Sequence, residues 1–370
     1  MSELGVGIVG AGGIFEQHAS ALAELSDRAR IVALCDVDQR RLDGAAARHG
    51  IEVTCRAHDE LVGRADVDVV VVCTPPSLHE QVVVGAVAAG KHVICEKPLA
   101  HTLQSADRII DTVRTLPGSL SVVYQFRYLP DVRRALWLRD RGVLGSLLSG
   151  RFYRFARFRR PGKPLRAPWW GRWEMAGGGT VMTQLIHELD LMCLLFGSPE
   201  RVWAVVDTLN EAIESEDVCA ATVQFPGGAL CSCQSTMSAH RSIAGFDVFA
   251  RYGSVHSPWS FECLDRERRA ALRLEALEAV PAGTPVATSN AHVPYLASVL
   301  DAILEGRPLP SGAEQARPSL ELATAIYASS LDGGEGVKLP LGPGHPLYAG
   351  VDGAQYRART AAARGLSVVR

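Results

Sequence analysis

What the chain lacks narrows it first. No window reaches the roughly 18 uncharged apolar residues that a membrane-spanning helix needs, so no membrane partner is expected. Neither sign of charge dominates: 38 Lys and Arg stand against 40 Asp and Glu, a formal net charge of −2. That balance offers no reason to expect nucleic acid or an anionic membrane as the main partner. No basic stretch precedes the first apolar run, which leads straight into glycines. Residues 1–13 therefore read as a strand and turn and not as a signal peptide. The nine cysteines contain no CxxC pair and join no His/Cys cluster, so no metal is expected. Several end or flank apolar runs, where cysteine behaves as a small buried hydrophobe. Reduced thiols in a cytoplasmic protein are the expectation. No internal repeat is present.

What is there suits a two-domain enzyme. At 370 residues the chain exceeds what one core usually organises. Over residues 1–125, apolar runs at 4–9, 31–35, 67–73, 92–95 and 120–124 alternate with amphipathic stretches. A shorter run at 51–55 is a weaker strand, third in chain order. Continuous apolar strands separated by helices predict an α/β domain, a parallel sheet covered on both faces. Residues 126–342 differ. A helix at 130–141 is followed by longer strand-like segments at 147–158, 201–206, 219–225, 229–235 and 246–250. Pro226-Gly227-Gly228 reads as a hairpin turn. One helix at 181–196 interrupts the series and two, 293–304 and 313–329, close it. This predicts an α+β domain with a largely antiparallel sheet. The tail, 343–370, is expected to wrap the surface.

The first strand runs into Gly10-Ala11-Gly12-Gly13-Ile14-Phe15 and then a helix. Gly10 permits a tight turn, and Gly12 lets the backbone approach a pyrophosphate at the helix N-terminus. The strand–turn–helix context makes this a Rossmann dinucleotide fingerprint, with Phe15 a departure at the third glycine position. Asp36 ends the second strand where an acid meets the ribose 2′-hydroxyl. It would repel a 2′-phosphate, so NAD is expected over NADP. The competing reading makes Asp36 a helix cap, with Asp38 its rival.

Thr74-Pro75-Pro76-Ser77-Leu78-His79 follows the fourth strand, and Ala89-Gly90-Lys91-His92-Val93-Ile94-Cys95-Glu96-Lys97-Pro98 spans the fifth. These residues resemble the glucose–fructose oxidoreductase / inositol dehydrogenase (Gfo/Idh/MocA) family, whose AGKHV…EKP signature is specific. Gln125-Phe126-Arg127-Tyr128-Leu129-Pro130, Gly177-Gly178-Gly179, His187-Glu188-Leu189-Asp190 and Glu305-Gly306-Arg307-Pro308 continue the likeness in the family's order, over about residues 3–341. The resemblance implies a Rossmann domain and a C-terminal domain whose open sheet is often buried in homodimers or homotetramers.

Oxidising a carbinol needs a base and a cationic or hydrogen-bonding group at one oxygen. Lys97 follows the fifth strand, at the carboxyl edge where ligands of open α/β sheets bind. A charge there would stabilise a developing alkoxide. The resemblance makes Lys97 the lysine that contacts the reacting hydroxyl, and Glu96 the support of that lysine and of the nicotinamide ribose. His187 and Asp190 lie three apart and share a helix face. By resemblance His187 is the general base, a role that imidazole suits near neutral pH. Many relatives carry an aspartate four residues before this histidine. Here the position is Thr183, which can hydrogen-bond a substrate but cannot act as a base at neutral pH, so the base is His187, Lys97 or a water. Thr74, Pro75 and His79 are expected to line the cofactor pocket, with His79 alternatively capping the next helix. Arg127 is a substrate-cleft candidate.

Residues 151–173 hold Arg151, Arg154, Arg157, Arg159, Arg160, Lys163, Arg166 and Arg172, and no acid. Trp169, Trp170 and Trp173 lie in the same stretch. Tryptophans here can pack on a sugar ring, and arginine suits an anionic group. The competing reading is the polar face of an exposed strand.

The expected function is an NAD(H)-dependent oxidoreductase acting on a secondary hydroxyl or ketone of a sugar, polyol or sugar derivative, an anionic or glycosylated one included. One alternative is a glycosidase or lyase that uses tightly bound NAD for oxidation, elimination and re-reduction. The other is a non-catalytic NAD-binding protein.

Overall fold

The computed structural model describes residues 3–157, 169–209, 213–280 and 290–363. The chain forms two compact units. The first comprises Met1–Ala100, Ser105–Tyr128 and Gly283–Arg317. The second comprises His101–Gln104, Leu129–Ala282 and Pro318–Arg370.

In the first unit β1 (Leu4–Val9), β2 (Ala29–Cys35), β3 (Thr54–Cys55), β4 (Val69–Val72), β5 (His92–Cys95) and β6 (Ser119–Val122) form a sheet ordered 3-2-1-4-5-6. Every pairing is parallel. Helices α1 (Phe15–Glu24), α2 (Gln39–His49), α3 (His58–Val62), α4 (His79–Ala88) and α5 (Leu103–Thr115) connect the strands. β4 is four consecutive valines, all buried, as a strand covered on both faces requires. The weak third run condenses to the two residues of β3. Strand order reverses between β1 and β4, so the chain leaves a crevice at their carboxyl ends.

A late segment also belongs to this unit. In helix α10 (His292–Leu304), Val293, Tyr295, Leu296, Val299 and Leu300 join the core cluster that holds Ala19 and Leu22 of α1. The Tyr295 hydroxyl meets Ser121 Oγ of β6 at 2.7 Å.

The second unit carries an eight-stranded sheet. Its strands are β7 (Leu147–Arg157), β8 (Arg201–Asp207), β9 (Val218–Gln224), β10 (Leu230–Ala239), β11 (Ile243–Ala250), β12 (Gly253–His256), β13 (Ser260–Cys263) and β14 (Val337–Lys338). Their order is 13-12-11-7-10-9-8-14, and every pairing is antiparallel except β7 with β10. β9 and β10 form the hairpin expected at Pro226–Gly228. Residues alternate between buried and open along β8, β9 and β10 as far as Ser238. One face thus packs inward, while Val205, Thr222, Leu230 and Phe249 are exposed on the other.

Helices α6 (Pro130–Asp140), α7 (Trp173–Ala176), α8 (Ile186–Phe196), α9 (Arg266–Ala279), α11 (Ala313–Leu331) and α12 (Gly353–Ala363) complete the unit. The expected helix at 181–196 begins with a π-helical turn, Val181–Leu185, before α8. α9 is an addition to the sequence reading. It is polar nearly all round, burying only Leu272 and Ala276, so its apolar period is faint. Its Asp265 cap accepts from Arg268 N at 2.9 Å. The tail is more than a surface wrap: Tyr356 of α12 is buried and its hydroxyl lies 3.1 Å from Thr208 Oγ1. No helix among the described residues is long and apolar enough to cross a membrane.

Candidate active site

The turn after β1 needs its first glycine. Gly10 has φ +107°, and a Cβ there would stand 2.7 Å from the Cys73 carbonyl oxygen. At Gly12 and Gly13 a Cβ would meet nothing within 4 Å. Ile14 stands at the N-cap of α1, and no side chain caps the helix there. The helix start is thereby left open to an anion. Asp36 faces the glycine turn. Its Oδ2 accepts from Ala11 N at 2.7 Å and its Oδ1 from Asp38 N at 2.8 Å, so it braces the glycine turn. The capping role falls to Asp38, which accepts from Arg40 N and Arg41 N. Phe15, where the third small residue was expected, turns into the core and is fully buried.

The loop after β4 faces the same edge of the sheet. The Thr74 hydroxyl is buried without a protein partner, an orphan that a bound dinucleotide can satisfy. Pro75 beside it is half-buried. His79 is not a pocket wall. It is fully buried, with Nδ1 2.9 Å from Pro98 O and Nε2 3.0 Å from Thr74 O, and it straps the two loops together. Burial pushes its imidazole down, only partly countered by those carbonyls. The open glycine cradle, the bare helix start and the Thr74 orphan together fit a dinucleotide.

Glu96 N still bonds Val72 O at 3.0 Å, so Lys97 stands just past the carboxyl end of β5, half-buried. The Glu96 carboxylate turns inward. Its Oε1 lies 2.8 Å from His18 Nε2 and 3.5 Å from His292 Nε2, and its Oε2 accepts from Lys97 N at 3.2 Å. Burial alone would raise this carboxyl, but the hydrogen bonds and charges of His18 and His292 outweigh it and hold it well below the usual range. Neither histidine was expected at the site. His18 had one signal, its place on the inner face of α1 beside Phe15 and Leu22. His292, 196 residues beyond Glu96, had none. Arg127 lies over the Tyr124 ring at 5.2 Å and donates to Gln315 O at 3.3 Å.

In the second unit, α8 carries His187, Glu188 and Asp190, all buried. The Arg154 guanidinium grips Glu188 through Nε and Nη2 at 2.7–2.9 Å, fixing the helix to β7. Thr183 sits in the π-helical turn, and its hydroxyl donates to Gly179 O at 2.7 Å. A π-turn at this place is a departure from regular helix of the kind that recurs at functional sites. The three glycines before it are required by close approach. A Cβ on Gly179 would stand 1.8 Å from Glu216 O, and one on Gly178 2.0 Å from the Tyr327 hydroxyl. Glu216, which nothing in the sequence marked, is wholly buried beneath them. It accepts from Gly179 N at 2.8 Å, Val181 N at 2.9 Å and the Tyr327 hydroxyl at 2.9 Å. Burial pushes its carboxyl up to about 7 against the pull of these donors.

Trp173 has a different place from the one expected. It is 4% exposed, and its ring meets those of Tyr327 and Tyr356 at 5.0 and 4.8 Å, so it packs the core of its own unit. Trp169 is half-exposed. Of the basic segment, Arg151 pairs with Asp247 at 2.6 Å and Arg154 with Glu188, so these two serve the sheet. Arg159, Arg160, Lys163 and Arg166 lie outside the described residues.

Comparison with known proteins agrees with this architecture. The family model described as "Oxidoreductase family, NAD-binding Rossmann fold" matches residues 4–124, and "GFO/IDH/MocA C-terminal domain" matches residues 132–256. Levoglucosan dehydrogenase of Pseudarthrobacter phenanthrenivorans is 26% identical over 290 residues, 69% of this chain and 73% of its own length. Myo-inositol 2-dehydrogenase of Thermotoga maritima is 26% identical over 259 residues, 68% and 74% of the two chains. Among solved structures, the WlbA dehydrogenase of Bordetella pertussis in complex with NADH and UDP-GlcNAcA has a TM-score of 0.80 at 26% identity, covering 92% of this chain and 99% of that one. The chain is an NAD-binding enzyme of the sugar and polyol dehydrogenase type and belongs to the Gfo/Idh/MocA family of oxidoreductases.

Proposed function

We propose that the chain transfers hydride between NAD(H) and a secondary hydroxyl or ketone of a sugar, polyol or sugar derivative. The observation that carries this reading is the setting of Lys97. Its backbone is held by the inward-facing Glu96 carboxylate at the carboxyl edge of β5, in the unit that holds the glycine cradle. Bound NAD supplies the hydride acceptor. Lys97 donates to the substrate oxygen and stabilises it as its proton leaves. His187 takes that proton, because Thr183, already donating to Gly179 O, offers no base. Asp36 discriminates for NAD by repelling a 2′-phosphate. Relatives named for levoglucosan and myo-inositol, and a neighbour solved with UDP-GlcNAcA, support a carbohydrate or polyol substrate, an anionic sugar derivative included. The open face of the eight-stranded sheet, with Val205 64% and Phe249 46% exposed, is covered by a second copy in a homodimer or homotetramer. Light scattering that returned a monomer would refute that part.

The test follows two signals in one tube: protein and NAD with a panel of polyols, free sugars, acidic sugars and glycosides. Reduced cofactor is read by absorbance and products by mass spectrometry. Stoichiometric NADH, with kcat lowered by about 10³-fold in Lys97→Ala, is the expected result. Cleaved glycoside with NAD unchanged at the end would replace this reading with redox-assisted elimination. Bound NADH without turnover of any panel member would favour a non-catalytic protein.

A further inference from the structure

His18, Glu96 and His292 come from α1, the end of β5 and the start of α10, and their facing atoms converge within 4.8 Å. Two histidines and a carboxylate are a common metal set, but the spacing decides against one here. Ligands about 2.0–2.1 Å from a tetrahedral ion stand about 3.3 Å apart. His18 Nε2 and Glu96 Oε1 are 2.8 Å apart, the length of a direct hydrogen bond. The cluster is therefore a hydrogen-bonded clamp on the carboxylate.

The clamp is anchored at its far end. His292 Nδ1 lies 3.0 Å from Asn290 Oδ1, and Asn290 Nδ2 donates to Gln17 O at 2.5 Å. An amide oxygen can only accept, so His292 Nδ1 carries the hydrogen in this pair. That contact aims Nε2, 3.5 Å from Glu96 Oε1, at the carboxylate. The His18 ring meets the His292 ring edge to face at 4.9 Å and closes the other side. Glu96 in turn holds Lys97 N with its second oxygen, while His79 straps Pro98 O. Both flanks of Lys97 are thus fixed by buried imidazoles.

We propose that His292 is a positioning residue for Lys97, acting through the Glu96 carboxylate, so that the late segment returning to the first unit sets the geometry of the reactive lysine. A clamp of three buried polar groups is worth keeping in place of an apolar core only if it fixes an orientation, since apolar replacement of buried ion pairs is often neutral for stability. The proposal rests on the reading of Lys97 as the group that meets the substrate oxygen.

The chain has only four lysines, Lys91, Lys97, Lys163 and Lys338, which makes a direct measurement possible. Full-length protein labelled with [ε-13C]lysine gives four signals, that of Lys97 assigned by Lys97→Arg. In His292→Leu the Lys97 signal moves while the other three stay. In His292→Gln, whose amide can donate to both Glu96 and Asn290, it returns. With a substrate from the panel, His292→Leu lowers kcat about tenfold and leaves NADH affinity unchanged, and His292→Gln recovers most of the loss. Asn290→Ala frees the ring without changing it, and moves the Lys97 signal in the same direction by less. Should His292→Leu not fold, Asn290→Ala carries the decision alone. A Lys97 signal unmoved in the folded variants would overturn the proposal. The labelling needs no substrate, so a silent panel would count against the proposed reaction and leave the clamp to be judged by its own signal.

Discussion

Behind the motif of each unit lies a buried glutamate, and the two are driven in opposite directions. Glu96 faces His18 and His292 and is held well below the usual carboxylate range, whereas Glu216 is pushed up to about 7. Burial acts on both in the same sense. The partners make the difference. Glu96 meets two imidazoles, groups able to share a proton's charge with it although burial pushes His18 down, and Glu216 meets two backbone N–H groups and a phenol, which are dipoles only. Dipoles satisfy the oxygens of a buried carboxylate without offsetting the whole cost of burying its charge. One carboxylate therefore works as an ion that holds Lys97. The other works as a hydrogen-bond acceptor, roofing three glycines and the first turn before His187.

The sharpest break of that comparison is to remove the charge and keep the shape. Glu96→Gln places an amide N–H against either His18 Nε2 or Lys97 N, both of which need an acceptor. We expect a loss of about 3 kcal/mol in unfolding free energy, the scale for breaking a buried pair. Glu216→Gln suits two of its three donors and leaves Gly179 N facing an amide N–H, at a cost of about 1–3 kcal/mol near pH 4.5, where the burial of the Glu216 charge does not yet count against the parent. Denaturant unfolding of the two variants side by side checks the order. An equal or larger loss for Glu216→Gln would show that the pair in the first unit is not the stronger contact.

The pH dependence sharpens the same contrast, because the signs differ. A glutamate in the unfolded chain titrates near 4.5. Glu96, depressed in the folded state, contributes stability above that value and loses it as pH falls through the folded pKa. Glu216, raised to about 7, is protonated in both states below 4.5 and costs stability as pH climbs from 4.5 to 7. Over that window the stability of the parent protein relative to Glu216→Gln should fall by roughly 3 kcal/mol. The difference against Glu96→Gln should instead close in more acid solution, as the Glu96 carboxyl takes up its proton. Two parallel curves would mean that the environments are alike after all.

The two carboxylates also mark where the sequence could be read and where it could not. Four valines in β4, the Gly10–Gly13 turn and Glu96-Lys97-Pro98 lie in short local patterns, and each occupies the place its pattern implies. The strand-like segments at 201–206, 219–225 and 229–235 and the turn at Pro226-Gly227-Gly228 are likewise local, and the antiparallel pairing follows from them. The clamp was illegible because it joins residues 18, 96 and 292, and its parts become neighbours only when α10 returns to the first core. Glu216 resembles any charged residue in Ser215-Glu216-Asp217 until the glycines close over it. The π-turn at Val181–Leu185 is too short to separate its period from that of an α-helix. Trp173 misled for a physical reason: an aromatic ring near a glycine run suits a sugar face and a core equally. Only the position of Tyr327 and Tyr356 decides between them.

The smallest effect tests whether the second unit's carboxylate is held by dipoles alone. Tyr327→Phe deletes one of three donors to Glu216 and leaves the ring packed on Trp173. Oε1 keeps Val181 N and Oε2 keeps Gly179 N, so neither oxygen is orphaned. The expected loss is about 1 kcal/mol, that of a single hydrogen bond. The Glu216 carboxyl should move further up, because a donor to its charged form is gone. The stability slope of the variant between pH 4.5 and 7 should then steepen and extend toward higher pH. Because Glu216→Gln keeps the oxygen that accepts from Tyr327, a double-mutant cycle between the two should return a coupling of only about a few tenths of a kcal/mol. A coupling several times larger would mean that Tyr327 does more than point a dipole. The distinction between an ion-clamped unit and a dipole-roofed one would then rest on Glu96 alone.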